Sequence, residues 1–291
     1  MTSPISFETT RKTAQVEDLT FAYHEAGTGE PLVMLHGSGP GVSAWSNFQD
    51  NLSFFANDFR VIMPDLPGFG GSDLPPLDEV YTVVAAKWIA RFMDHLGIES
   101  ARFVGNSMGG AVAAELAALH PHRVKRMALM GSGGMSVGIF QAEPSEGFLR
   151  LFEFLEDPTR DRMIGWIKTR VFDKNLITDQ LVDQRMQNAL ADGVLDRTRA
   201  IFGSMFNPKN QATYTPLWTK ASSINTDTLL LWGRDDRMLP YDQAHFATRW
   251  LPEVELHTFA HCGHWIQVER KSDFERVVRE FLTREVPAPA G

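Results

Sequence analysis

The order of apolar runs and helical patterns along the chain constrains its fold more than any other feature. Short apolar runs such as PLVMLHG and FRVIMPDLPG close in glycine or a Pro-Gly pair, and they alternate with segments that have apolar residues at helical spacing. TVVAAKWIARFMDHLG has that spacing and stops at Gly97. Strands that alternate with helices of roughly ten to fifteen residues predict a doubly wound, mostly parallel α/β sheet with helices on both faces.

This alternation is interrupted in the middle of the chain. Between residues 136 and 217 the patterns GFLRLFEFLED and LITDQLVDQRMQNAL are amphipathic and helical, and no segment has clear strand character. The alternation resumes at DTLLLWGRDD. The sequence therefore predicts a core domain built from residues 1–135 and 218–291, with a helical lid inserted at residues 136–217.

Composition and charge exclude several classes of partner. The chain has 291 residues, of which 43% are hydrophobic and 22% charged, which is typical of a globular domain. A net charge of −8 and the lack of a Lys/Arg run argue against a nucleic-acid partner. No stretch approaches the length of a membrane span, and the N-terminus lacks an apolar signal-peptide core. Because Cys262 has no second cysteine to pair with, we expect a reducing, cytoplasmic environment.

A candidate nucleophile lies where an apolar strand run meets a small-residue helix. The segment GNSMGG contains a G-x-S-x-G match centred on Ser107. A strand–turn–helix with this motif is typical of the nucleophile elbow of α/β-hydrolases, in which small neighbours such as Gly105, Gly109 and Gly110 leave room for a strained serine. The helix dipole and the Met108 backbone N–H can then stabilise an oxyanion beside Ser107.

An acid and a base follow at the ends of the last two predicted strands. A serine hydroxyl needs an imidazole to take its proton, and the imidazole needs a carboxylate to fix its tautomer. DTLLLWGRDD ends in Asp235 and Asp236, and the sequence pattern cannot decide between two adjacent side chains. VELHTFAHCGH offers His261 and His264, of which His264 is preferred because Gly263 permits a tight turn before it.

A metal site is not expected at the two histidines. His261 and His264 have H-x-x-H spacing, but no carboxylate or further histidine lies at a supporting spacing. We therefore predict catalysis without a metal or an organic cofactor.

Four segments together resemble a known family. HGSGPGVSAWSNF after the third strand, GNSMGG, WGRDDR and CGHW occur in this order, and the first two are more specific than G-x-S-x-G alone. Over nearly the whole chain the sequence resembles the meta-cleavage product hydrolases of bacterial aromatic degradation. That resemblance implies the α/β-hydrolase fold. It also implies hydrolysis of the C5–C6 bond of 2-hydroxy-6-oxohexa-2,4-dienoates, giving 2-hydroxypenta-2,4-dienoate and a carboxylic acid.

The resemblance also implies roles for individual residues. Of the two adjacent aspartates it selects Asp235 as the acid that partners His264. It places the second oxyanion N–H at Ser38 or Gly39, in the loop after the third strand. Many relatives have glycine where this chain has Ser38, a change that keeps the main-chain donor.

The remaining implied residues bind the substrate. Arg185 matches the arginine that binds the substrate carboxylate, and Trp265 matches the tryptophan that lines that end of the site. Asn47 and Asn106 match polar positions of the pocket. On pattern alone Arg185 is one of several lid arginines, although a planar guanidinium suits an acidic substrate in a negatively charged protein.

The group on carbon 6 is an open choice between aryl and alkyl. Large apolar side chains in the lid either line a pocket for an aryl ring or form the core of a helical cap, and we favour an aryl substituent. These side chains are Phe148, Phe152, Phe154, Trp166, Phe172, Phe202, Met205 and Phe206.

Two other functions remain open from the sequence. A carboxylesterase or lactonase would share the fold and the triad without needing Arg185. A non-catalytic ligand-binding protein would bind without turnover, and the intact triad argues against it. For the favoured function we expect a small acidic dienoate as the substrate and no nucleic acid or membrane as a partner. The resemblance also implies a homo-oligomer (a dimer or higher).

Overall fold

A twisted eight-stranded sheet forms the centre of the protein. The computed structural model describes residues 5–135 and 144–285. Within these ranges the strands have the order β1-β2-β4-β3-β5-β6-β7-β8; β1 and β2 are antiparallel to their neighbours, and all pairs from β4 to β8 are parallel. The strands are β1 Arg11–Val16, β2 Leu19–Ala26, β3 Glu30–Leu35, β4 Phe59–Pro64, β5 Ala101–Asn106, β6 Val124–Met130, β7 Asp227–Gly233 and β8 Val254–Phe259.

The helices of the described residues fall before, between and after the parallel strands. They are α1 Phe7–Thr10, α2 Ala44–Phe55, α3 Tyr81–His95, α4 Met108–Leu119, α5 Glu146–Glu156, α6 Arg160–Lys168, α7 Asp179–Ala189, α8 Val194–Phe206, α9 Pro208–Thr213, α10 Leu217–Lys220, α11 Asp242–Trp250, α12 Ile266–Glu269 and α13 Lys271–Thr283.

The buried strands are apolar on both faces, which is why helices cover both. In β3, Val33 and Leu35 belong to one buried cluster, and Leu32 and Met34 belong to another. The first cluster is completed by α3 and α4, and the second by α2 and α13. Near-continuous apolar runs are what a parallel sheet with two covered faces requires. The predicted mostly parallel, doubly wound α/β fold is confirmed.

The helices α5 to α10 connect β6 to β7, in the part of the chain where the sequence lacks strand patterns. The start of the predicted lid, residues 136–143, lies outside the described residues. From residue 144 to residue 226 the chain contains helices and no strand. These helices pack around an apolar cluster of their own that includes Phe154, Trp166 and Phe202, and Trp265 from the core contributes to it.

Within residues 5–135 and 144–285, none of the helices combines the length and the apolar character that are needed to cross a lipid bilayer.

Candidate active site

Ser107 lies at the tight junction between β5 and α4. Its backbone has φ 54° and ψ −114°, a left-handed conformation that costs free energy for any residue with a side chain. Its neighbours explain why the turn needs glycine. A Cβ at Gly109 would lie 2.2 Å from the Leu35 carbonyl oxygen, and one at Gly105 would lie 2.6 Å from the Gly110 Cα. The sequence therefore forces the serine into a strained elbow at the N-terminus of α4, where it is buried against the neighbouring loops.

His264 follows β8 in a loop that is fixed by the helical region. The backbone N–H of His264 donates to the carbonyl of Arg170 at 2.7 Å, and the N–H of Trp265 donates to the same oxygen at 3.2 Å. Gly263 allows this approach, since a Cβ there would lie 2.6 Å from that carbonyl oxygen. His264 is fully buried in this position.

The acid that pairs with His264 is Asp236. His264 Nδ1 lies 2.7 Å from Asp236 Oδ2, and both side chains are almost inaccessible. The other oxygen, Oδ1, accepts the backbone N–H groups of Met238 and Leu239 at 2.8 and 2.9 Å. An ionised carboxylate only accepts, so Nδ1 carries the proton and Nε2 is the free base. Nε2 is buried and has no hydrogen-bond partner among the described residues, Ser107 included, so its lone pair is free to accept a proton.

The prediction that Asp235 is the triad acid is wrong. Its Oδ2 accepts the backbone N–H of Cys262 at 3.3 Å, and its own N–H donates to the Cys262 carbonyl at 2.9 Å. These contacts join the loops after β7 and β8. Adjacent residues in a turn point in different directions, and here the second aspartate, not the first, faces His264.

The loop after β3 lies directly against the elbow. A Cβ at Gly37 would be 2.8 Å from Asn106 Oδ1 and 3.2 Å from the Ser107 Cβ. Gly39 has φ 141°, and a Cβ there would be 2.5 Å from the Trp166 ring. Ser38, Ser107 and Met108 line one cavity. The predicted oxyanion donors are thus on the same side of the site as the nucleophile, and the Met108 N–H is the first amide of α4.

His36 holds this loop in place as a neutral imidazole. Its Nε2 accepts the N–H of Leu66 at 2.8 Å, so the proton is on Nδ1, which lies 2.7 Å from the Gly37 carbonyl. Complete burial lowers the pKa of His36 to about 4. No sequence pattern predicts a role for His36; its two hydrogen bonds and its burial identify it as a support of the loop after β3, residues 36–40, which carries the predicted oxyanion donors.

The two predicted asparagines link the same elements. Asn47 Oδ1 accepts the Gly37 N–H at 3.3 Å, and Asn47 Nδ2 lies 3.5 Å from Asn106 Oδ1. Asn106 Nδ2 also lies 3.5 Å from the Met130 carbonyl. Both side chains are buried between the oxyanion loop and the elbow.

Arg185 and Trp265 lie together, as the resemblance implied. The guanidinium carbon is 5.3 Å from the centroid of the indole, a cation–π distance. Arg185 is only 5% exposed although it is on a helix of the inserted region. Burial lowers its pKa to about 10, and its Nη1 has no hydrogen-bond partner among the described residues. A buried and unpartnered guanidinium is suited to bind a carboxylate.

The cavity beside Ser107 is mostly apolar. Its volume is about 180 Å³. It is lined by Ser38, Val80, Thr82, Ser107, Met108, Ala111, Gly133, Gly134, Phe148, Phe202, Met205, Gln211, Tyr214, Leu217, Met238 and Leu239. Of the lid side chains singled out from the sequence, Phe148, Phe202 and Met205 line this cavity, whereas Phe172 and Phe206 are exposed.

A second and larger cavity lies away from the triad. It has a volume of about 310 Å³ and is lined by residues that include Arg11, His24 and Asp65. None of the triad side chains lines it. Within the part of the chain that the structure describes, no group of three or more His, Cys, Asp or Glu side chains is placed to hold a metal ion.

The known proteins that are similar to this chain belong to one fold family and are named as related hydrolases. A family profile described as the α/β-hydrolase fold matches residues 30–271. A 2-hydroxy-6-oxononadienedioate/2-hydroxy-6-oxononatrienedioate hydrolase of Comamonas testosteroni is 38% identical over 260 residues, 89% of this chain and 90% of that protein. A 2-hydroxy-6-oxo-6-phenylhexa-2,4-dienoate hydrolase of Burkholderia cepacia is also 38% identical over 260 residues, with the same coverage.

Solved structures agree with these sequence relatives. A 2-hydroxy-6-oxo-6-phenylhexa-2,4-dienoate hydrolase from Rhodococcus sp. strain RHA1 superposes with a TM-score of 0.85 at 30% identity, over 94% of this chain and 98% of that chain. A meta-cleavage product hydrolase from Pseudomonas fluorescens IP01, complexed with acetates, has a TM-score of 0.84 at 30% identity, over 94% and 97% of the two chains.

Proposed function

Because the chain belongs to the α/β-hydrolase family and, within it, to the meta-cleavage product hydrolases, we propose that it hydrolyses the C5–C6 bond of 2-hydroxy-6-oxohexa-2,4-dienoates. The products are 2-hydroxypenta-2,4-dienoate and a carboxylic acid. The observation that carries the proposal is the arrangement of the site. Ser107 at the elbow lines an apolar cavity, His264 and Asp236 form a buried pair, and Arg185 is buried with its Nη1 lacking a hydrogen-bond partner among the described residues.

The first stage of the reaction prepares a carbon leaving group. Arg185 and Trp265 bind the carboxylate end while the dienol ketonises, losing the proton of its 2-hydroxyl and gaining one at carbon 5. His264 Nε2 is the group available to carry that proton. The 2-keto acid so formed can accept the electron pair of the C5–C6 bond when that bond breaks.

The second stage is acyl transfer through Ser107. The hydroxyl attacks the carbon-6 ketone and gives its proton to His264 Nε2, and Asp236 stabilises the imidazolium. The Met108 N–H and the N–H of Ser38 or Gly39 stabilise the oxyanion, each by about 3–4 kcal/mol. Collapse of this intermediate breaks the C5–C6 bond, and the departing hydroxydienoate takes the proton that His264 received from Ser107. An acyl-enzyme remains, which is hydrolysed by a water molecule that His264 activates.

The cavity supports an apolar group on carbon 6. Phe148, Phe202, Met205 and Leu217 line it from the inserted helices, and Leu239 lines it from the chain that follows β7. No charged side chain is among its lining residues. A phenyl ring fits this chemistry, since apolar pockets bind by burying apolar surface.

The wider setting is part of the same proposal. The lid at residues 136–217 over a core of residues 1–135 and 218–291 is supported by the separate apolar cluster of the inserted helices. A cytoplasmic location is supported by the free, buried thiol of Cys262. The homo-oligomer rests on family membership, and light scattering of the purified protein measures it.

The proposed function is tested by mixing the protein with 2-hydroxy-6-oxo-6-phenylhexa-2,4-dienoate and following the loss of its visible absorbance. We expect fast bleaching, release of benzoate, and a rate far above that for a p-nitrophenyl ester. The Ser107→Ala variant should abolish both reactions. Efficient ester turnover with the dienoate untouched would instead establish an esterase or lactonase. Stoichiometric binding without turnover would indicate a ligand-binding protein.

A further inference from the structure

A second buried arginine lies near the triad and has no hydrogen-bonded side-chain partner among the described residues. Arg170 is 1% exposed, and both its Nε and its Nη2 are buried without a partner. Arg126, which is 3% exposed, is a buried arginine of this protein whose side chain has hydrogen-bond partners. It donates to Asp227 and to the carbonyls of Phe281, Arg284 and Glu285. A buried donor without an acceptor is costly, so Arg170 requires an explanation that packing alone does not supply.

Arg170 stacks on Trp166 much as Arg185 stacks on Trp265. The Arg170 guanidinium carbon is 4.4 Å from the Trp166 ring centroid. Trp166 is 1% exposed, and its indole Nε1 is a further buried donor without a partner. The Trp166 ring also packs on the oxyanion loop at Gly39. These contacts place a cation and a neutral N–H donor at the edge of the active site.

The two cation–indole pairs adjoin each other. The Trp265 N–H donates to the Arg170 carbonyl at 3.2 Å, so the backbone of one pair is bonded to the backbone of the other. Burial lowers the pKa of Arg170 to about 9; the Asp236 carboxylate opposes that shift and the Arg185 charge adds to it. Because Arg170 is bonded to the backbone of Trp265 and Arg185 stacks on the Trp265 ring, two buried like charges lie in neighbouring parts of the site.

Asp236 does not satisfy Arg170 by hydrogen bonding. Its Oδ2 is held by His264, and its Oδ1 accepts the two backbone N–H groups of the following turn. Trp166 Nε1 and Arg185 Nη1 are themselves donors without a partner among the described residues, so neither can supply an acceptor to Arg170. A ligand anion would satisfy all of these groups and relieve the repulsion between the guanidinium groups.

We infer that Arg170 and Trp166 form a second half of the anion site, so that the substrate carboxylate is bound by two guanidinium groups and an indole N–H. This inference rests on the proposed function for the identity of the anion. Neither Arg170 nor Trp166 lines the apolar cavity beside Ser107. The hydrogen bond from Trp265, on which Arg185 stacks, to the Arg170 carbonyl assigns the pair to the carboxylate end.

Two substitutions of Arg170 and one matched control test the inference. Arg170→Met removes the charge and the donors, and Arg170→Lys keeps the charge without the planar fork. Arg160→Gln is the control, because Arg160 lies in the same helical region, has a side chain that is 42% exposed, and forms ion pairs with Asp179 and Asp183 at the surface. Each protein is assayed with the 6-phenyl dienoate and with p-nitrophenyl acetate, which has no carboxylate.

For Arg170→Met we expect kcat/KM for the dienoate to fall about 30-fold or more, as the loss of charge-assisted hydrogen bonds implies, while the ester rate changes less than about 3-fold. Arg170→Lys should recover part of the loss, and Arg160→Gln should behave as the wild type. Pyruvate, a small 2-oxo carboxylate, should inhibit ester hydrolysis, and its inhibition constant should rise about tenfold or more in Arg170→Met.

Four results would overturn the inference. Unchanged dienoate kinetics and pyruvate inhibition in Arg170→Met would show that the residue binds no anion. An equal fall of dienoate and ester rates, with a shifted pH profile, would show that it acts through Asp236 and His264. A loss confined to a dienedioate with a carboxyalkyl group on carbon 6 would assign Arg170 to the other end of the substrate. Failure of pyruvate to inhibit the wild type would remove the anion site.

These results are separate from a failure of the proposed function. If the wild-type protein cleaves no dienoate, the proposed function is wrong, and the pyruvate series still decides whether Arg170 belongs to an anion site.

Discussion

At the scale of single residues, two adjacent aspartates have different environments. Asp236 is 6% exposed and has every oxygen engaged, one by His264 and the other by two backbone amides. Asp235 is partly exposed, and its carboxylate accepts a hydrogen bond from the backbone N–H of Cys262. Hydrogen bonds to both oxygens fix the carboxylate, and the carboxylate fixes the tautomer of His264, which is the property that a triad acid must have.

Substitution of Asp236 should lower kcat severely, whereas substitution of Asp235 should leave it nearly unchanged. Asp236→Asn should lower kcat by about 10⁴-fold, because an amide at this position stabilises the wrong imidazole tautomer and cannot stabilise the imidazolium. Asp235→Asn, the matched control, should keep kcat within about 3-fold, since Asn retains an acceptor for the Cys262 N–H. Steady-state kinetics with the dienoate decides, and a severe loss at Asp235 with a mild one at Asp236 would reverse the assignment.

At the scale of elements, the inserted helical region is attached to the core through a buried carboxylate. Glu115 on α4 is fully buried and accepts from Tyr214 Oη at 2.8 Å and from Lys220 Nζ at 2.7 Å. Lys220 is 24% exposed, so the pair is largely desolvated. The helix that carries Ser107 at its start is thereby bonded to the end of the inserted region, which also lines the cavity at Tyr214 and Leu217.

Removal of this carboxylate should destabilise the whole domain. We expect Glu115→Ala to lower the free energy of unfolding by about 3 kcal/mol, because it leaves a cavity and takes the acceptor from a partly buried ammonium and a partly buried hydroxyl. Glu156→Ala, at an exposed position on α5, should change it by less than about 0.5 kcal/mol. Urea unfolding followed by circular dichroism measures both, and a similar small change in the two variants would show that the ion pair contributes little.

At the scale of the whole molecule, the site exists because parallel strands bring their carboxyl ends to one edge of the sheet. The oxyanion loop, Ser107, Asp236 and His264 follow β3, β5, β7 and β8, strands that are distant in sequence but share one sheet. Ligand sites of open α/β sheets lie at this edge for the same reason. Folding also buries titratable groups at this edge and changes their pKa values. The free energy of unfolding therefore depends on pH.

His36 should make folding stability depend on pH below neutrality. Its pKa is about 4 in the folded protein, whereas an unfolded histidine titrates near 6.5. The unfolded chain therefore binds a proton between these values that the folded chain does not, so stability is complete above about pH 6.5 and falls as the pH decreases towards 4. The contribution of His36 over that range is about 3 kcal/mol.

A substitution isolates this contribution. In His36→Gln the free energy of unfolding should fall less steeply with decreasing pH than in the wild type, by up to about 1.4 kcal/mol per pH unit between pH 6 and 4.5. Exposed His95→Gln should leave the slope unchanged. Urea unfolding at a series of pH values gives the slopes, and parallel curves for wild type and His36→Gln would refute the assignment.

The sequence by itself determined the features that depend on local pattern. Apolar runs alternating with helical spacing gave the mostly parallel α/β sheet, and the strand-free stretch after β6 predicted the inserted helices. The glycines around Ser107 predicted the strained elbow, because only residues without a Cβ fit so close to neighbouring backbone. The four segments after β3, β5, β7 and β8 predicted the family.

Only the tertiary structure decided the features that depend on direction and on contacts between distant segments. Asp235 and Asp236 are equivalent in pattern, and the turn after β7 determines which of them faces His264. In the sequence, Arg170 is one of several arginines in a helical region. Its importance follows from its burial and from the lack of an acceptor for its Nε and Nη2 among the described residues. Sequence spacing specifies which face of an element a residue occupies, but the direction of a side chain in a loop is set by the packing of the rest of the molecule around it.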